Sequence, residues 1–226
     1  MPADPLLKVR VWDLPTRIFH WLLALCFAGL VITGRIGGDA MGAHSWLGYT
    51  VASLLLFRLV WGFAGGHWSR FRSFAYPPSA VLDHLKGAVR PLTTVGHSPL
   101  GAISVYALLL FLGAQVGTGL FSENKADFAG PLNRFVSGAT ARSLTGYHKN
   151  VGQTVLISLV ALHLAAIAYY RVRGKKDLVR PMLHGNKMLG PDLPASRDDN
   201  GSRLAALALW AACIAVVAFT VVFTSG

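Results

Sequence analysis

The stretch YHKNVGQTVLISLVALHLAAIAYYR, Tyr147 to Arg171, decides the fold, because a single long apolar run carries two histidines. His148 opens the run and His163 lies in its middle. On an α-helix that separation is about 22 Å of rise and about four turns, so both imidazoles leave the helix on nearly the same side. A polar side chain in hydrocarbon is costly and usually marks a site, which raises the question of partners at the same two depths.

Working outward, the whole chain is of one character. Of its 226 residues 53% are hydrophobic and 14% charged, and its mean hydropathy is +0.48, outside the range of a soluble globular domain. Five apolar stretches approach the roughly 20 residues that cross a hydrocarbon core: Ile18 to Gly34, Trp46 to Phe63, Gly101 to Phe121, Val151 to Tyr170 and Leu204 to Phe223. The expected fold is all-α, an integral membrane helical bundle. The formal charge of +11 does not call for nucleic acid, because 15 of the 21 Lys and Arg fall on the side shared by the N-terminus and the second and fourth connections, against five on the other. By the positive-inside rule the N-terminus is cytoplasmic and the C-terminus external. The first span has no small-residue cleavage pattern after it and is expected to be retained. Cys26 and Cys213 sit inside spans, read as small apolar fillers, and form no CxxCH or metal-type pair.

Two more histidine positions complete the pattern begun by the fourth span. His20 lies about one turn inside the boundary set by Arg17, and His44 opens the second span at the opposite face. His44 and His148 therefore form an outer pair, His20 and His163 an inner one. At 1.5 Å per residue His163 is about 12 Å from its span's end and His20 about 5 Å from its own, a difference that helix tilt absorbs. Gly48 and Gly152 each follow an outer histidine by four residues, leaving room either for a flat macrocycle beside the ligand or for ordinary close packing. Arg58 is the charge deep in a span; it either meets an anion such as a haem propionate or snorkels to the interface. Gln115 is the amide of the third span, placed to bond across helices. His67, His84 and His97 belong to a loop without helical register and read as surface residues.

Two imidazoles from different helices, with no cysteine or carboxylate beside them, fall short of a zinc site. Haem iron needs only two axial ligands, so bis-histidine b-type haem fits, with no open position for oxygen chemistry. Two such haems, about 20 Å apart by the helical rise, would form an electron wire through the membrane.

VWDLPTRIFHW in the first span, GHSPLGA before the third, GYHKN and ALHLAA in the fourth, and LVRPMLHGNK after it resemble the prokaryotic cytochrome b561 family and the related b-type cytochrome subunit of nickel-iron hydrogenases, over about residues 8 to 188. The resemblance implies a four-helix haem-binding core within residues 1–203, two haems b with His20, His44, His148 and His163 as axial ligands, and exchange of electrons with ubiquinone or menaquinone. Residues 204–226 then add a fifth, C-terminal transmembrane helix, as in the hydrogenase-type subunit. The expected function is electron transfer between the quinone pool and a periplasmic c-type cytochrome or dehydrogenase. The alternative is an enzyme that passes electrons from superoxide to ubiquinone. Membrane lipid and a second copy of the chain, as a homodimer, are the other expected partners.

Overall fold

The structure is a computed structural model that describes residues 6–87, 95–124 and 128–225. Of the charges counted above, Arg90 and Lys125 lie outside the described residues. In chain order the elements are β1 (Leu7–Arg10), α1 (Leu14–Ile36), α2 (Met41–Ala64), α3 (Pro78–Leu85), α4 (Pro99–Leu120), β2 (Glu123–Asn124), β3 (Phe128–Ala129), α5 (Gly138–Gly146), α6 (Gln153–Val172), α7 (Val179–His184), β4 (Asn186–Leu189) and α8 (Asn200–Ser225). Five helical segments are long and apolar enough to cross a membrane, and they coincide with the five expected stretches. Their large side chains face outward in number, including Leu25, Leu110, Leu162 and Phe219. Such faces would aggregate in water and are satisfied by lipid tails.

The fourth span is longer than its hydropathy suggests. Helical backbone begins at Gly138, where the Ser137 hydroxyl accepts from Thr140 N, and runs to Val172. The connection before it is correspondingly shorter and carries the β2–β3 pair.

Two compact units emerge, and the division passes through the long helices. The first comprises Met1–His20, Arg58–Tyr106 and Leu162–Ala208. Its core is Val11, Trp12, Trp68 and Val95, with Met182, Leu189 and Leu193 packed against them. Here the two terminal motifs of the sequence turn out to be one structure: β1 pairs antiparallel with β4, from Leu7 opposite Leu189 to Arg10 opposite Asn186. Gly185 makes the pairing possible. It ends α7 at φ 86, a left-handed conformation that glycine adopts without strain. Its carbonyl accepts from Val11 N at 2.8 Å and Trp12 N at 3.0 Å, and a Cβ there would lie 2.6 Å from Trp12 O. Asp198 closes the unit by accepting from Leu14 N and from the Arg203 guanidinium while pairing with Arg10. Asp13 is fully buried, its carboxylate accepting from Thr16 N, Gly66 N and the Trp61 indole.

The second unit comprises Trp21–Phe57, Ala107–Ala161 and Leu209–Gly226. Cys26, Val51, Leu112 and Leu156 form its core. Cys26 and Cys213 are buried free thiols, as the filler reading has it. The Trp210 indole donates to Ser53 Oγ at 3.3 Å, which fastens α8 to α2. Gly37 and Gly38, at φ 67 and 48, reverse the chain between α1 and α2, a turn that side chains with a Cβ would resist.

Candidate functional site

In the second unit, α2 delivers His44 one turn from its start, and the π turn at Tyr147–Gly152 delivers His148. A π turn departs from the i→i−4 ladder and tends to occur where function requires a side chain to be re-aimed. A neighbour meets the backbone at this point: Gln115 of α4 donates through Nε2 to His148 O at 2.9 Å. The Gln115 carbonyl lies 2.9 Å from His148 Nδ1. A carbonyl can only accept, so His148 Nδ1 carries the proton. His44 Nδ1 stands 3.1 Å from Thr33 Oγ1, whose own hydrogen is directed to Gly29 O at 2.7 Å. Thr33 therefore accepts from His44 as well. Both tautomers are fixed, and both Nε2 lone pairs remain available to a metal, the arrangement that outer partners of metal-bound histidines produce.

The two rings face one another with centres 6.1 Å apart and planes at 84°. One metal ion bound by a nitrogen from each ring, with bonds of about 2.0 Å and ring centres ~1.1 Å behind the nitrogens, would set them about 6.2 Å apart. Among the described residues no group of three or more His, Cys, Asp or Glu can hold a bare metal ion. His44 and His148 line a cavity whose apolar walls include Phe27, Leu30, Leu112 and Ile157, with Glu123 and Lys149 among its polar residues.

The glycines divide between the two sequence readings. Gly48 lines the cavity, and a Cβ added to it would meet nothing within 4 Å, so open space lies beside His44. Gly152 serves close packing: its missing Cβ leaves the place that Gln115 Oε1 occupies, with Tyr147 Cε1 2.9 Å away. Gly119, not singled out from sequence beyond its small size, lies against His148, where a Cβ would come within 2.8 Å of Cε1. A Gly48→Ala substitution is expected to leave thermal stability in detergent unchanged, whereas Gly152→Ala displaces Gln115 from the His148 backbone and costs about 1–3 kcal/mol. Thermal melting of the two variants side by side checks the contrast.

His20 and His163 fall together in the first unit, within electrostatic reach of each other. Arg58 is in the same unit and does not snorkel. It is 3% exposed, its guanidinium lies 4.6 Å over the Phe71 ring, and Nη1 is sealed without a hydrogen-bond partner among the described residues. His67 and His84 are partly exposed, in keeping with the surface reading, although His84 lies on α3 and not in a loop. His97 corrects it. Its ring packs between Trp12, at 4.8 Å, and Phe74, at 4.4 Å, and its Nδ1 is sealed from solvent. Burial, and then the charges of Arg58, Lys187, His163 and His20, push it down to about 3, so it is neutral. No periodicity in its loop announces this; the flanking glycine and proline of GHSPLG are the only local sign.

The chain is 27% identical to a probable Ni/Fe-hydrogenase B-type cytochrome subunit of Azotobacter chroococcum mcd 1, covering 82% of this chain and 91% of that one. It is 25% identical to a probable Ni/Fe-hydrogenase 1 B-type cytochrome subunit of Escherichia coli (strain K12), covering 81% and 92%. The family model of prokaryotic cytochrome b561 matches residues 11–185, which take in all four histidines, and the chain belongs to that family.

Proposed function

We propose that this protein carries electrons across a bacterial inner membrane through two bis-histidine b-type haems, between the quinone pool and a redox partner on the periplasmic side. The observation that carries the proposal is the His44–His148 pair, at the separation one iron requires and with both Nδ1 atoms already engaged. His20 and His163 are the proposed axial ligands in the first unit, with Arg58 directed to a propionate. Residues 1–203 form the haem-binding core and 204–226 the added helix. Charge asymmetry supports a cytoplasmic N-terminus. The names of the relatives support a hydrogenase as the kind of partner that delivers electrons, with ubiquinone or menaquinone receiving them.

Bound haem would supply a one-electron couple, with His44 and His148 holding one iron. The chain does the rest. His44 and His148 present lone pairs held in direction by Thr33 and the Gln115 carbonyl, and Gly48 leaves the macrocycle room between the apolar walls. The superoxide reading gains no supporting observation from this site.

The test is spectroscopic. Protein purified in detergent should give a b-type reduced-minus-oxidised spectrum, about two haems per chain and low-spin signals from both. In proteoliposomes, quinol added outside should reduce ferricyanide trapped within. A single haem, or a high-spin iron open to carbon monoxide, would overturn the proposal.

A further inference from the structure

Three polar groups in the first unit form a cluster that the sequence only partly announced. Arg58 comes from α2, His97 from the segment before α4, and Lys187 from β4. The Arg58 guanidinium covers Phe71, Phe71 lies 5.9 Å from Phe74, and Phe74 lies 4.4 Å from His97. Lys187 Nζ donates to Val95 O at 2.6 Å, two residues before His97. Burial, with Lys176, pushes the Lys187 amine down to about 8, so this cation too is held largely out of water.

Sealing an N–H without an acceptor costs about 1–3 kcal/mol, more when it is charged. Arg58 Nη1 stands in that condition among the described residues, and His97 Nδ1 is buried there without a partner in either tautomer. The acid that Arg58 feels is Asp13, but Asp13 already accepts from Thr16, Gly66 and Trp61. What the cluster lacks is an oxygen acceptor that is also an anion; a neutral carbonyl would leave the guanidinium charge unmatched.

We propose that Arg58, His97 and Lys187 together hold the carboxylates of the porphyrin in the first unit, with His97 and Lys187 acting as positioning residues that set that haem's potential. The inference rests on the reading of two haems given above. Neutralising the propionates favours the reduced iron, so weakening the cluster favours the oxidised one.

The experiment is a redox titration of the purified protein, wild type against His97→Phe, which keeps the packing between Trp12 and Phe74, against His97→Gln, which restores a donor, and against Lys187→Met. His97→Phe and Lys187→Met are each expected to lower one of two midpoints by about tenfold in equilibrium constant, about 59 mV for one electron, leaving the other unmoved. His97→Gln should return most of the shift. Apoprotein reconstituted with the dimethyl ester of the haem, which carries no propionate charge to be matched, should show a midpoint no lower than that of the native haem and no shift in His97→Phe. Unchanged midpoints in all three variants would overturn the proposal while the two-haem reading stands; absence of a second haem from wild type would overturn both. A shift that follows the anionic lipid content of nanodiscs and ignores esterification would assign the acceptor to a lipid phosphate, and also overturns it.

Discussion

Replacing His148 with alanine is expected to halve the haem content of the purified protein, from about two per chain to about one, and to abolish reduction of trapped ferricyanide by external quinol. Its axial bond is one of two that would fix the iron, and the neighbouring groups offer no substitute: Gln115 is spent on the His148 backbone and Thr33 on His44. His44→Ala should give the same spectrum as His148→Ala, and the double variant no further loss, because both remove one centre. His20→Ala or His163→Ala should remove the other. Retention matters as much as loss. His20 and His163 belong to a unit with its own core of Val11, Trp12, Trp68 and Val95, so the centre assigned to it should keep its potential when His148 is cut. Pyridine haemochrome assay of each variant reads the count. Two haems in His148→Ala would refute its assignment as a ligand.

What could be read from sequence, and what could not, follows from the range of the interactions. The five spans were legible because hydropathy is a local sum, and the outer histidine pair because both residues open spans, where depth is well defined. The β1–β4 pairing was not, since Arg10 and Asn186 are brought together across the whole chain and neither strand has enough residues to show alternation. The role of His97 was hidden for a related reason: the aromatic rings that enclose it come from β1's flank and from a 3₁₀ turn, Trp12 and Phe74. Gly152 illustrates a different failure. Its spacing from His148 matched that of Gly48 from His44, yet one faces open space and the other faces Gln115, a distinction set by the neighbouring helix. Gln115 was visible as a polar group in a span that needed a partner, and the structure supplies it.

The least legible feature carries the second large effect. Nothing in YHKNVG requires a π turn, and a straight α-helix would run through it. A π turn holds one residue more than an α turn, so deleting Asn150, an exposed residue within that turn, should let the segment close into α-helix with His148 still in phase with Leu156, and both haems should be retained. Inserting one alanine between Thr154 and Val155, in the straight helix beyond the turn, shifts that phase instead. His148 would then be carried about 100° around the axis and about 1.5 Å along it relative to Leu156, which is anchored in the core. For an imidazole about 6 Å off the axis that is a displacement of about 9 Å, far more than side-chain rotation can recover. The ring would leave His44, the Gln115 carbonyl and the cavity together. The expected result is one haem per chain in a protein that remains helical and membrane-inserted, with the remaining midpoint as in wild type. Asn150→Ala keeps the residue count and should retain both haems, because it loses only the bond from Asn150 Nδ2 to Gly146 O. If the insertion kept two haems with unaltered low-spin signals, the helical phase set by the π turn would have no part in placing His148.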